Sequence, residues 1–188
     1  MHQEKNDNNK AITYLTKAIE IDPNNIDSHI ALAEVFLREN RFNDAWPHYS
    51  YRFKKDTLNA IAFSEFPPNI NDLKGKEILL IEEQGVGDTI QALRFVKMLK
   101  TCGAIITVVA RRSLTRLLKQ QTYIDEVIEF DDNYTKHFDY TFSVFSLVTY
   151  FVKHENDFSQ AQNYIQFRKT KLSIDLTDKI KIGITWRG

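Results

Sequence analysis

The chain has 188 residues, of which 43% are hydrophobic and 27% are charged, a balance that indicates a folded globular protein rather than a disordered one. Its 25 basic and 25 acidic side chains give a formal net charge of zero. Because general nucleic-acid binders show a basic excess or stripe, this balance argues against a nucleic-acid partner.

Cysteine usage and hydropathy bear on the location of the protein. Cys102 is the only cysteine, so an internal disulfide is excluded and a reducing compartment is favoured. The N-terminus lacks the apolar core of a signal peptide. The longest apolar stretch, 140–152, is too short for a bilayer, which needs about 20 apolar residues. The sequence therefore predicts a cytoplasmic protein without a membrane span.

Three amphipathic helices are predicted in the first part of the chain, at 8–21, 26–39 and 41–54. The tetrapeptide Asp-Pro-Asn-Asn at 22–25 predicts a turn between the first two. Pro47 falls inside the third helix and is expected to kink it or delay its start, because proline lacks a backbone N–H.

A spacing of 34 residues relates two parts of this helical segment, since Ala11 and Leu15 recur as Ala45 and Tyr49. Between them, 29–36 carries the pattern His-x2-Leu-Ala-x2-Phe. The period and the pattern resemble the tetratricopeptide repeat. The alternative is an ordinary helical hairpin with a coincidental spacing.

The repeat pattern is incomplete and has departures. His29 stands where the repeat usually has Trp, and Arg52 stands where the first copy has Ala18. Only about one and a half repeats are present, whereas an array usually needs about three to be stable alone. We therefore expect the helical segment, 1–56, to pack against the domain behind it. The resemblance implies that these helices bind a protein partner.

After a linker at 57–75, the pattern changes in 76–188 to strands that alternate with helices. Strands are predicted at 77–82, 104–110, 126–130, 139–144 and 181–185, and the helices between the first strands at 89–99 and 113–120. Continuous apolar strands separated by helices predict the α/β class, with a parallel sheet covered by helices on both faces. Right-handed crossovers would make it Rossmann-like.

The first strand-to-helix turn, 83–89, reads Glu-Gln-Gly-Val-Gly-Asp-Thr and falls at the sheet edge where such folds bind ligands. Gly85 and Gly87 are expected to turn the backbone sharply and to let a ligand approach it closely. A tight turn without a ligand is the alternative. A dinucleotide fingerprint is excluded because Ile90 stands where it needs Gly or Ala, and a P-loop is excluded because Gly-Lys-Ser/Thr is missing.

The turn, with Ile-Gln and Arg-Phe following within 90–95, resembles the signature of bacterial tetratricopeptide proteins that carry a glycosyltransferase region similar to the heptosyltransferase family. Phe-Asp-Tyr at 138–140 and Gly-Ile-Thr-Trp-Arg-Gly at 183–188 come later in the family's order. The resemblance implies the acceptor-side half of an inverting, two-domain enzyme that stops before the donor domain. The complete enzyme would transfer a sugar from a nucleotide-sugar to a glycan or protein acceptor. This chain alone would hold no cofactor and be inactive.

Carried over onto this sequence, Asp88 would be the base that takes the proton of the acceptor hydroxyl. The substrate-contacting residues would be Gln84, Gly85, Gly87 and Arg94. For Asp88 the alternative is a helix cap, in a capping-box-like pair with Gln91. For Arg94, expected on the exposed side of its helix, the alternative is a solvated side chain.

Other sequence features are less informative. Arg111 and Arg112 come after a strand and are candidate anion contacts, with solvation as the alternative. The five histidines lack metal-ligand spacing, so no metal site is predicted. The predicted last strand lacks covering elements, which predicts self-association through that edge. A repeat-based adaptor with a residual transferase half remains the alternative function.

Overall fold

The computed structural model describes the chain at 2–54, 61–130, 136–160 and 163–167. Its first three helices are α1 (His2–Ile21), α2 (Ile26–Arg38) and α3 (Phe42–Tyr49). A 3-10 helix at Ser50–Lys54 takes the place of the last part of the third predicted helix. The α-helical geometry thus ends two residues after Pro47, whose missing N–H weakens the helix at this point.

Side chains that cap the backbone define the turn between α1 and α2, as the sequence predicted. The Asp22 carboxylate accepts a hydrogen bond from the Asn24 N–H at 3.1 Å. The Asn25 side chain then caps α2 by accepting from the Ser28 N–H at 2.9 Å. One stripe of α2 is buried, formed by His29, Leu32, Ala33, Val35 and Phe36. Four of these residues are those of the pattern His-x2-Leu-Ala-x2-Phe at 29–36, and their spacing is that of one helix face.

Four parallel strands form the sheet in the order β3-β2-β1-β4. They are β1 (Glu77–Ile81), β2 (Ile105–Ala110), β3 (Glu126–Glu129) and β4 (Tyr140–Ser143). Four of the five predicted strands are therefore confirmed, and so is their parallel arrangement. The strand predicted at 181–185 lies outside the described residues, and with it the edge at which self-association was expected.

Three helices come after strands of the sheet, namely α4 (Val86–Thr101), α5 (Arg112–Leu118) and α6 (Ser146–Phe151). All three contribute to one core together with the face of β1 that carries Ile78 and Leu80. On the opposite face, Leu79 and Ile81 belong to a smaller cluster against which side chains from loops pack, namely Ile61, Phe63 and Phe138. Within the described residues the helices thus cover one face, whereas helices on both faces were predicted.

The larger core continues from the sheet into α1, α2 and α3, the predicted repeat helices. Phe42 and Trp46 of α3 belong to the same cluster as Leu93 of α4 and Leu147 of α6. The Trp46 indole N–H donates to the backbone carbonyl of Val152 at 2.6 Å. The repeat helices therefore pack against the α/β part of the chain, as expected, while the domain boundaries near 56 and 76 stay predictions.

Candidate functional site

The candidate site lies at the carboxyl edge of the sheet, where three neighbouring strands end. β1 leads through Glu82 and Glu83 into the turn before α4, β2 is followed directly by Arg111, and β4 ends at Ser143. Ligands of open parallel sheets bind outside this edge, so a ligand of this sheet would meet these residues first.

Asp88 caps α4, although with a different partner from the one predicted. The helix begins at Val86 rather than at residue 89, so Gly85 is the capping position and Asp88 is the third residue of the helix. The half-buried Asp88 accepts a hydrogen bond through Oδ2 from the Gly85 N–H at 3.0 Å. The predicted pairing with Gln91 is therefore wrong. The predicted role of Asp88 as a base remains a prediction.

The sharp bend of the turn is made by Gln84, whereas the sequence suggested the two glycines. Gln84 has a φ of 63°, in the left-handed region that non-glycine residues rarely adopt. Its carbonyl accepts a hydrogen bond from the Arg111 guanidinium at 3.2 Å. Such backbone strain costs about 1–3 kcal/mol and tends to be kept at functional positions.

The two glycines of the turn serve different purposes. A Cβ at Gly85 would lie 3.0 Å from Asp88 Oδ2, so glycine at this position makes room for the cap. A Cβ at Gly87 would meet nothing within 4 Å, and the residue is exposed. Glycine is unfavourable within a helix, and nothing in the described structure requires it at Gly87. This is the position at which a ligand could come close to the backbone.

Glu82 and Arg111 form one ion pair at this edge. Glu82 is 2% exposed, and its Oε2 accepts from the Arg111 backbone N–H at 2.6 Å. The Arg111 guanidinium contacts the other carboxylate oxygen of Glu82. Arg111, predicted as a candidate anion contact, therefore neutralises a buried carboxylate, while Arg112 is exposed.

Arg52 and Glu83 form a second ion pair, which connects the repeat helices to the turn. Arg52 Nη2 lies 2.6 Å from Glu83 Oε1, and the side chains are 7% and 2% exposed. Ser143 at the end of β4 donates its hydroxyl to the same carboxylate oxygen. The Arg52 guanidinium lies over the rings of Tyr49 and Phe53, at 4.6 Å and 3.9 Å from their centres.

This second pair was missed in the sequence, although a signal for it existed. Arg52 occupies the position where the first repeat copy has the small residue Ala18. A long cation at a position that packs between helices must find a buried anion, because an unpaired buried charge is costly. The signal could point to a carboxylate but not to Glu83 in particular.

Arg94 is half-buried rather than on the exposed side of its helix. Its guanidinium donates to the backbone carbonyls of Gln91 at 3.0 Å and Phe158 at 3.1 Å. It also donates to the Tyr164 hydroxyl at 3.3 Å. Arg94 thus links α4 to later parts of the chain, and its predicted contact with a substrate stays a prediction.

A histidine pair lies within the repeat helices. His29 Nδ1 and His48 Nδ1 are 2.7 Å apart, and His29 Nε2 lies 3.1 Å from the carbonyl of Pro23. Because a carbonyl only accepts, Nε2 of His29 carries the proton, and Nδ1 of a neutral His29 accepts from His48. The His29 ring is stacked on Tyr51, with ring centres 3.5 Å apart.

We expect acidification to destabilise the protein through His48. Burial, and then repulsion from the positive charge of a protonated His29, lower the pKa of His48 from its ordinary 6.5. His48 therefore binds its proton at a higher pH in the unfolded chain than in the folded chain. The stability that the neutral His48 contributes is complete above pH 6.5 and is lost as the pH falls through the folded-state pKa. Urea titrations between about pH 5 and 7 should show His48→Gln with a flatter pH dependence. The exposed His154→Gln should keep the slope of the unchanged protein, and equal slopes for both variants would contradict this expectation.

Two kinds of feature are missing from the part of the chain that the structure describes. No helix there is long and apolar enough to cross a membrane. No group of three or more His, Cys, Asp or Glu side chains there has an arrangement suited to a metal ion.

The sequence comparison identifies the N-terminal segment. Residues 2–40, about a fifth of the chain, match the family model described as a TPR repeat. No curated protein and no solved structure matches the chain. The matched residues are those of α1, the following turn and α2, so the predicted tetratricopeptide repeat is confirmed for this helical hairpin.

Proposed function

We propose that the repeat helices are a protein-binding module, because tetratricopeptide repeats usually mediate protein interactions. The match of 2–40 to a TPR repeat carries this proposal. The solvent face of α1 supports it, since Tyr14 is 70% exposed there. Tyr14 lies in a surface recess of about 240 Å³ that Lys10 and Lys17 also line. Tyrosine is enriched in protein interfaces and among the residues that contribute most to binding.

A photo-cross-linking amino acid at Tyr14 tests this proposal. The matched control replaces Phe130, which is 48% exposed and comes directly after β3. In cells we expect a discrete protein adduct from position 14 and none from position 130. The partner identified by mass spectrometry should then bind Tyr14→Ala at least about 10-fold more weakly. Equal adducts from both positions, or unchanged affinity of Tyr14→Ala, would contradict the proposal.

As a second function, we propose that the α/β part is the acceptor-side half of a glycosyltransferase similar to the heptosyltransferase family. The turn at 83–89 favours it, because a strained Gln84 and an unobstructed Gly87 stand at the ligand-binding edge of the sheet. The strand order β3-β2-β1-β4 is the one that Rossmann-like sheets use. A separate donor domain would bind the nucleotide-sugar, and the acceptor would be a glycan or a protein.

In this proposal the Asp88 carboxylate takes the proton of the acceptor hydroxyl. The hydroxyl oxygen forms a bond to the anomeric carbon while the bond from that carbon to the nucleoside diphosphate breaks. The diphosphate leaves with the bonding electrons, and attack on the opposite face inverts the configuration of the carbon. General-base assistance of this kind contributes typically about 10²–10⁴-fold to the rate.

Two substitutions of Asp88 separate its role as a cap from its role as a base. Asp88→Asn keeps an oxygen that accepts from Gly85, whereas Asp88→Ala removes this hydrogen bond and should cost about 0.5–1.5 kcal/mol of stability. Where a donor domain is present, we expect both variants to lose nucleoside diphosphate release in the presence of donor and acceptor, by at least about 10²-fold. Thermal unfolding measures how much stability is lost when the cap is removed. Retained turnover in Asp88→Asn would remove Asp88 from the mechanism.

Gly87→Ala tests whether a ligand comes close to the backbone at this position. Alanine fits the open space at this position and favours the helix, so we expect unchanged or slightly raised stability, by up to about 1 kcal/mol. If a ligand contacts the backbone here, the added methyl group should raise KM for the acceptor. Unchanged KM would mean that the glycine does not serve a ligand.

A further inference from the structure

A cavity of about 280 Å³ lies between the repeat helices and the helices that pack on the sheet. Aromatic side chains from both parts form most of its wall, among them Phe42 and Trp46 of α3, Phe95 of α4, and Phe145 just before α6. The cavity is near the lower end of small-molecule sites, which span about 300–1,000 Å³. It therefore suits a ligand with one ring and a short chain.

Three polar side chains line the same cavity, those of Tyr49, Gln91 and Arg94. The acceptors of the Arg94 guanidinium are two backbone carbonyls and a tyrosine hydroxyl, all of them neutral. Among the described residues, no carboxylate lies within ion-pair distance of Arg94. A guanidinium has five N–H groups, so with three of them engaged it can still donate two hydrogen bonds.

The Tyr49 hydroxyl is a further donor without a partner, since it makes no hydrogen bond within the described chain. Burial raises the pKa of Tyr49, and nearby Glu83 and Asp88 act in the same direction while Arg52 opposes them. The hydroxyl therefore keeps its proton at neutral pH and is able to donate. The side-chain amide of Gln91 likewise has no hydrogen-bond partner in the described residues.

We propose that this cavity binds a small arylalkyl carboxylate, with its ring among the aromatic side chains and its carboxylate on Arg94 and the Tyr49 hydroxyl. An arginine without an anion at an apolar cavity is complementary to a carboxylate, and such charge-assisted bonds are strong where water is excluded. No acidic side chain lines the cavity, which disfavours a cationic ligand. No residue of the turn at 83–89 lines the cavity, so it is distinct from the turn, although it shares Arg94 with the substrate-contacting residues that the resemblance implies.

The inference is tested with two probes of equal shape, 3-phenylpropionate and its neutral amide, on the full chain. Calorimetry, supported by the fluorescence of Trp46, measures their affinities. We expect the carboxylate to bind with a Kd below about 1 mM. Arg94→Gln should weaken the carboxylate about 10-fold to 100-fold and change the amide less than about 2-fold. Arg116→Gln, which alters an exposed arginine outside the cavity, should change neither.

Further variants guard against a loss of folding. Tyr49→Phe keeps the ring and should weaken the carboxylate about 3-fold or more without affecting the amide. Leu37→Trp, at a half-buried wall position, should fill the cavity and abolish binding of both probes while thermal unfolding shows a folded protein. Equal affinities of acid and amide, equal weakening of both by Arg94→Gln, or no saturable binding would overturn the inference. Binding of a peptide with a C-terminal Phe, without binding of 3-phenylpropionate, would overturn it as well.

Discussion

Arg52→Met is expected to lower the free energy of unfolding by about 3–5 kcal/mol, because it leaves the Glu83 carboxylate buried without its cation. The Glu83 side chain is 2% exposed, so water cannot replace the lost partner without a rearrangement of the site. The Ser143 hydroxyl still donates to the carboxylate but carries no charge. Urea denaturation of purified protein measures the effect through the midpoint of the transition.

The double variant Arg52→Met with Glu83→Gln distinguishes a charge effect from a packing effect. Gln has nearly the volume of Glu and can accept from Ser143, so we expect it to recover most of the lost stability. Lys76→Met is the matched control, because Lys76 pairs with Asp139 where the side chains are 44% and 35% exposed. An exposed pair contributes at most about 1 kcal/mol. If the double variant lost as much stability as Arg52→Met and Glu83→Gln lose together when made singly, the charge explanation would be contradicted.

Trp46→Ala should also cost about 3–5 kcal/mol, and its effect should extend beyond the repeat helices. The indole fills the core that joins α3 to the sheet, and its N–H is bonded to the Val152 carbonyl. Since this core is continuous, we expect amide hydrogen exchange to accelerate in β1 as well as in α3. Trp46→Phe keeps a ring but loses the hydrogen bond, which should cost about 1–3 kcal/mol.

Tyr14→Ala is the control for this substitution, because Tyr14 is 70% exposed and its loss should change stability by less than about 0.5 kcal/mol. Faster exchange that is confined to the repeat helices in Trp46→Ala would show that the two parts unfold separately. A common acceleration would show that they unfold as one cooperative unit.

Local periodicity explains why the helices and strands could be predicted from the sequence. The stripe of α2 and the apolar strands each depend on residues close together in the chain, and the turn before α2 depends on the side chains of Asp22 and Asn25. The position of the turn at 83–89 could be predicted by the same logic, because a turn after a parallel strand lies at the carboxyl edge.

Contacts between distant residues explain what the sequence could not predict. Glu83 is paired with Arg52, 31 positions away, and composition does not say which carboxylate an arginine meets. The helix after the turn begins at Val86, whereas residue 89 was predicted. Asp88 therefore accepts a hydrogen bond from Gly85, and the predicted pairing with Gln91 does not form. The sequence favours Gly85 and Gly87 for the sharp bend because glycine adopts positive φ most readily, whereas in the structure the positive φ lies at Gln84.

The ion pair between Arg52 and Glu83 has a consequence for how this repeat segment can be inherited or engineered. Repeat arrays are often treated as exchangeable cassettes, but here the last turn of the segment supplies the counter-charge for a carboxylate of the neighbouring sheet. A foreign array grafted at this junction needs an arginine in the place of Arg52, or a neutral residue in the place of Glu83. In related chains, positions 52 and 83 are therefore expected to change together.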